Sequence, residues 1–213
     1  MYVPEVFGEQ DEGRVTAFVD RHPLATLIMV DGGKAYADHL PFLRTDRLVI
    51  GASLFSHVAR PNATWRLAES GPEVLLVFSG AAAYVSPSLY PTRQETHEVV
   101  PTYNYVSVHV RGHLTCSHDP AVKRRCVERL TQRMEASRAE PWSVADAPPA
   151  YIDRMLEGFV ALTLEVGEIT AKSKSSQNRL PRDQLGVLEG LRADPATLEA
   201  AQVIATRLGR LTA

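Results

Sequence analysis

One imidazole, two guanidiniums, a carboxamide and an indole fall within the eleven residues from Ser56 to Arg66: His57, Arg60, Asn62, Trp65 and Arg66. A neutral histidine can offer a ring nitrogen to a metal. An arginine fork suits phosphate or carboxylate. Pro61 lacks an N–H and disfavours helix at the residue before it, so the spacing predicts a lead-in turn over His57–Arg60 and a helix from Asn62 to about Ser70. The start of such a helix would present free N–H groups and a positive dipole end to an anion.

Two further groups could do chemistry. The run from Lys172 to Arg179 holds Lys174, Ser176, Gln177, Asn178 and Arg179, a mix of cations, hydroxyls and amides that suits an anionic ligand. Tyr103, Asn104 and Tyr105 could stack on a flat ring while the Asn104 amide bonds its edge. Tyr105 and His109 are candidate bases. Plainer readings stand beside each: a polar surface turn, a solvated linker, a strand start and a satisfied histidine. His109 and His113 share a strand face, but no third metal ligand is evident.

These residues sit at the ends of apolar segments. Val15, Phe18 and Val19 mark a helix over Asp11–His22. Leu24–Val30 reads as a buried strand, Asp31-Gly32-Gly33 as a hairpin turn, and Lys34–Leu43 as the returning strand, with Pro41 arguing for an edge. Further strands are predicted over Leu48–Leu54, Glu73–Ser79, Gly80–Val85, Pro101–Val110 and Val160–Ile169. In the fourth of these, valines alternate with Ser107, His109 and Arg111. The segment after Pro91 reads as a polar, mobile loop to Glu98. Asp119-Pro120 opens a basic helix through Arg138, a short helix ends near Gly158, and Pro181 onward is helical with a break at Asp194-Pro195. Hairpin strands with inserted helices and no regular βαβ alternation imply an α+β fold, most simply a small antiparallel barrel with peripheral helices.

The chain of 213 residues suits a single domain, 1–213, with a helical extension over about 181–213. A net charge of −2 argues against strong nucleic-acid binding. The basic run Lys123-Arg124-Arg125 is at most a local patch. Two cysteines, Cys116 and Cys126, make no disulfide framework, and the cytoplasm is the expected setting. No signal peptide is evident, and no apolar run approaches the roughly 20 residues that span a bilayer. Neither a Gly-rich nucleotide fingerprint nor a nucleophile elbow is present.

Six stretches then occur in order: Met1-Tyr2-Val3-Pro4, His39-Leu40-Pro41-Phe42-Leu43, His57-Val58-Ala59-Arg60-Pro61-Asn62 with Trp65, Tyr84-Val85-Ser86-Pro87-Ser88, Val100-Pro101-Thr102-Tyr103-Asn104-Tyr105 and Ser176-Gln177-Asn178-Arg179. Together they resemble the PaiB family, also called FMN-binding negative transcriptional regulators. The resemblance spans nearly the whole chain and implies a split β-barrel that forms a homodimer with its cofactor near the interface. The family includes flavin proteins and a branch of heme enzymes similar to piperazate synthase, which closes an N–N bond in N5-hydroxyornithine. In that branch the histidine matching His57 ligates the heme iron. Two departures fall beside the expected cofactor site: serines at 173 and 175 where bulky apolar residues are usual, and Pro61-Asn62-Ala63 where the order Ala-Asn-Pro is usual.

The resemblance thus implies heme b held by His57, with Arg60 and the Lys172–Arg179 run on its acidic tails, and a small amino-acid-like substrate. The alternative is FMN, its phosphate on the same anion site and its ring flanked by Tyr103 or Trp65, in an oxidoreductase or a transcriptional regulator.

Overall fold

The structure, a computed structural model, describes residues 1–209. The last four positions of the expected C-terminal extension, 210–213, lie outside them. Helix α1 (Glu12–Arg21) leads into strands β1 (Leu24–Asp31), β2 (Lys34–Pro41), β3 (Leu43–Arg44) and β4 (Ser53–Ala59). Then come α2 (Thr64–Ala68), β5 (Glu73–Val85), α3 (Arg93–Thr96), β6 (Thr102–Ser117), α4 (Pro120–Glu135), α5 (Pro149–Glu157), β7 (Phe159–Lys174), α6 (Pro181–Arg192) and α7 (Leu198–Arg207). The seven strands form one sheet in the order β2-β1-β5-β6-β7-β4-β3. This is the α+β class expected.

The residues group into two compact units. The first comprises Met1–Asp11, Ser79–Val108 and the chain from Thr170; the second comprises Glu12–Phe78 and His109–Ile169.

In the second unit, β1 and β2 pair from Leu24↔Pro41 to Asp31↔Lys34. Gly32 and Gly33 turn the hairpin at φ 53° and 78°, a conformation that glycine adopts without steric cost. Pro41 ends β2 at the sheet edge, where its missing N–H breaks no ladder. β2 also lies beside β4, so the ladder curls back on itself as a split barrel does. β1 is half-buried, not buried throughout: Ala25, Leu27 and Met29 face the core while Leu24 and Val30 are exposed.

The expected strand over Leu48–Leu54 begins later, at Ser53. Gly51, at φ 82°, turns the chain, and its N–H donates to the Val166 carbonyl at 2.8 Å. β4 then pairs with β7 from Ser53↔Glu165 to Ala59↔Phe159. Gly112 lets β6 approach β7 closely, since a Cβ there would lie 1.9 Å from the Glu165 carbonyl oxygen. The two strands expected over 73–85 are one, because Gly80 continues the ladder. Asp119 caps α4 by accepting from Ala121 N and Val122 N at 2.7 and 3.2 Å.

In the first unit, α6 and α7 bury Val187, Leu188, Leu191, Ala201 and Ile204 against Val85 and Tyr90. Each large aliphatic side chain among them contributes about 2 kcal/mol of burial. The break between these helices is where Asp194-Pro195 predicted it. The segment expected to be mobile is tied down. Thr92 donates through its N–H and hydroxyl to buried Asp183 at 3.1 and 2.9 Å, and Arg182 pairs with Glu95 at 2.6 Å. Pairing to a residue nearly a hundred positions away is invisible to local sequence pattern.

Candidate functional site

His57 lies in β4, not in a lead-in turn, because β4 pairs along its whole length with β7 and His57 sits opposite Ala161. Strand alternation sends Leu54, Ser56 and Val58 into the core. Phe55 and His57 take the opposite face. The His57 ring stands 4.9 Å from the Phe159 ring at 55°. Its Nδ1 is buried without a hydrogen-bond partner, which leaves Nε2 as the nitrogen with access to a ligand. Burial holds its pKa below the usual histidine value, so the imidazole is neutral at pH 7.

Residues after His57 are locked to their neighbours. Arg60 N–H donates to the Gly158 carbonyl at 2.8 Å and Arg60 Nε to the Glu157 carbonyl at 2.6 Å. Its charge therefore sits on the carboxyl end of α5, where a helix favours a cation. Asn62 Nδ2 donates to both Asp38 oxygens at 3.2 and 3.1 Å, and its Oδ1 accepts from Thr64 N at 2.9 Å. The Thr64 hydroxyl also donates to Asp38. α2 runs only from Thr64 to Ala68, and Asn62 already occupies its first N–H. α2 is thus shorter than the helix expected over Asn62–Ser70, and Asn62 takes up one of the N–H groups expected to face an anion. Trp65 Nε1 donates to the Arg60 carbonyl at 2.9 Å, its ring meets His118 edge-on at 5.1 Å, and Arg66 stacks on it at 4.6 Å.

Two residues that sequence reasoning did not assign to the site complete this cluster. Lys123 is only 3% exposed, so the basic run on α4 is not a solvated face at that position. Its ammonium donates to the Leu156 carbonyl and lies 5.5 Å from the Phe159 ring centre. Burial lowers its pKa, Arg60 adds to the effect and Glu157 opposes it. Cys126 Sγ donates to the Ser56 carbonyl at 3.1 Å, and burial pushes its thiol up to about 11. Four-residue helical spacing on α4 would have pointed one face inward, but nothing local says that the face carries a lysine. His109, on β6, is half-buried, with its pKa lowered by burial and further by Arg111.

A second cluster lies in the first unit. β7 extends through Lys174, so the first three residues of the expected loop over Lys172–Arg179 are strand. Ser173, Ser175 and Ser176 are buried there, not solvated. Gln177 accepts from Ser175 N at 2.7 Å and donates to the Ser173 and Val6 carbonyls at 2.6 and 3.1 Å, which fixes the bend. Ser176, at φ 62°, accepts from Asn104 Nδ2 at 2.8 Å. Asn104 is 2% exposed and its Oδ1 is buried without a partner. Lys174 donates to the Thr102 hydroxyl, and Lys172 lies 5.3 Å from the Tyr105 ring centre. Tyr103 is 57% exposed and meets Tyr84 edge-on at 5.7 Å. Arg179 stacks 4.8 Å above Tyr90. Asn178 and Arg179 line a cavity of about 450 Å³ with Thr96, Glu98 and Arg182.

The predicted residues thus form two clusters, one in each compact unit. Among the described residues no three His, Cys, Asp or Glu side chains gather as a metal site, which a single-histidine ligand does not require. A flat cofactor fits the donor set in two ways. In the second unit, His57 Nε2 can meet iron or donate a proton to a ring heteroatom; separately, in the first unit, the buried Asn104 Oδ1 is left to accept an N–H.

Comparison with known proteins agrees on the family. The family profile described as "Putative FMN-binding domain" matches residues 1–168. The chain is 30% identical to the protease synthase and sporulation protein PAI 2 of Bacillus subtilis, over 98% of each chain. Among solved structures it is similar to the FAD and heme binding protein from Mycobacterium smegmatis, with TM-score 0.58 and 20% identity over 78% of this chain and 72% of that one. The flavocytochrome Anf3 from Azotobacter vinelandii is also similar, with TM-score 0.58 and 17% identity over 81% and 72%. No helix among the described residues is long and apolar enough to cross a membrane. With a profile match over residues 1–168 and 30% identity over 98% of both chains, this chain belongs to the FMN-binding PaiB family.

Proposed function

We propose that the chain binds heme b through His57 and is an N–N bond-forming cyclase of the piperazate synthase kind. Its substrate would be a small amino-acid-like hydroxylamine such as N5-hydroxyornithine, and the working form a cytoplasmic homodimer. One observation carries the reading. A neutral imidazole is braced by Phe159 with its Nδ1 buried and its Nε2 left to a ligand. Two structural neighbours are named for flavin and heme together, which is compatible with either group.

When bound, heme iron supplies Lewis acidity that can assist departure of a hydroxyl from an N–O bond. The chain's own groups do the rest. His57 would hold the group in the second unit. In the first unit, Lys174 and Arg179 would offer cations to an anionic ligand and Tyr103 an exposed ring to stack. His109, kept neutral by burial, or Tyr105 takes the proton that the attacking amine releases.

A second reading, FMN, rests on a specific observation. The matching family profile is described as an FMN-binding domain. Nδ1 is buried without a partner whichever nitrogen carries the proton, so it favours neither cofactor. With the proton on Nε2, the imidazole becomes a donor to a flavin ring atom. The relative named for sporulation keeps a regulator in view, though the net charge of −2 argues against a strong DNA site.

The absorption spectrum of purified protein separates these. Heme shows a Soret band, and FMN shows paired blue and near-ultraviolet bands. His57→Ala is expected to remove the Soret band while leaving the fold. A Soret band unchanged in that variant refutes the ligand assignment.

A further inference from the structure

A second cavity, of about 440 Å³, lies within the second unit between α4, the end of α1, β3 and β4. It is lined by Cys126, which completes the His57 cluster, and by Phe55 on the same face of β4, but not by His57, Arg60, Asn62, Trp65 or Arg66. Its charged wall is Arg44, Arg129 and Arg133 against a single carboxylate, Asp20. Arg44 holds Asp20 through two bonds, Nε at 2.8 Å and Nη2 at 2.5 Å, and Arg133 reaches the same carboxylate at 3.3 Å. One carboxylate therefore serves two guanidiniums.

Arg129 takes no share of it and lies 5.6 Å from the Phe55 ring centre. The remaining wall is apolar, from Leu43, Phe55 and Leu130. Cys126 adds an uncharged thiol, because burial holds it protonated. A cavity of this volume is in the range that holds small molecules. Excess positive charge above an apolar floor selects an anion with an apolar body over a simple inorganic ion. Planar guanidiniums select a carboxylate's two oxygens.

We propose that this cavity is a binding site for a small carboxylic acid with a flat or aliphatic apolar body. The Arg129 fork would take the carboxylate and Phe55 and Leu130 the body. Asp20 already shows that the other two arginines accept a carboxylate in this setting. Arg129, which has no ion-pair partner among the described residues, is the one available to a ligand.

The test is isothermal titration of the purified full chain with benzoate, benzamide and inorganic phosphate at pH 7. Benzoate is expected to bind one per chain, with benzamide and phosphate each weaker by about tenfold or more, since each lacks one half of the match. Arg129→Gln should weaken benzoate by a similar factor with an unchanged melting temperature. Ala136→Trp, at the exposed rim, should block the cavity without removing a charge. Absence of saturable benzoate binding overturns the proposal. So does benzamide or phosphate binding as tightly as benzoate, or benzoate binding that both variants leave intact.

Discussion

Replacing Asp38 by alanine cuts the clamp that ties β2 to the turn carrying Asn62 and Thr64. The carboxylate accepts from Asn62 Nδ2 at 3.2 and 3.1 Å and from the Thr64 hydroxyl. Hydrogen bonds to a charged acceptor contribute about 1.5–3 kcal/mol each, and water replaces part of that at a half-buried site. Two donors losing such a partner should therefore cost the fold about 2–4 kcal/mol in total. For a chain of this length that is a fall in melting temperature of roughly 5–12 °C. The effect should also reach the cofactor. Asn62 Oδ1 accepts from Thr64 N at 2.9 Å, and the indole of Trp65 is held to the Arg60 carbonyl at 2.9 Å, so release of the turn loosens the chain directly after His57. Thermal denaturation and cofactor titration of Asp38→Ala and Asp38→Asn measure both. Asp38→Asn, which keeps one acceptor oxygen, should fall between. If Asp38→Ala melts within about 1 °C of the wild type, the clamp contributes nothing and this account of the turn is wrong.

Two more outcomes are expected. Burial lowers the His57 pKa below its ordinary value of 6.5, so the stability tied to its neutral form is complete above that value and is lost as pH falls toward the lowered one. Urea denaturation of cofactor-free protein between pH 7.5 and 5 should show a steeper loss in the wild type than in His57→Gln, and equal slopes would contradict it. Gly112→Ala would place a Cβ 1.9 Å from the Glu165 carbonyl oxygen, so β6 and β7 must part. A loss of at least about 2 kcal/mol by denaturant titration is expected, and a neutral result would refute the close approach.

Much of the scaffold was legible along the chain. The hairpin at Gly32-Gly33, the edge position of β2, the Asp119 cap, the valine face of β6 and the break before Pro195 each depend on a few adjacent residues. Their physics is local, in backbone dihedrals, missing N–H groups and alternation. The six ordered stretches also carried the family.

The site was legible only as a set of residue types. Pro61 made a turn and helix seem the frame for His57, yet pairing with β7 drew the histidine into a strand. Asn62 and Arg60 read as ligand groups, yet Asp38 and the end of α5 occupy them. The run from Lys172 read as solvated, yet its serines are buried and Gln177 donates to the Val6 carbonyl. Each outcome depends on partners about twenty to more than a hundred positions away. Composition and spacing therefore determined which chemical groups the chain owns and the fold that carries them. Only the tertiary structure decided which of those groups are spent on neighbours and which, like His57 Nε2, are left over, because a polar group's freedom is set by what packs against it.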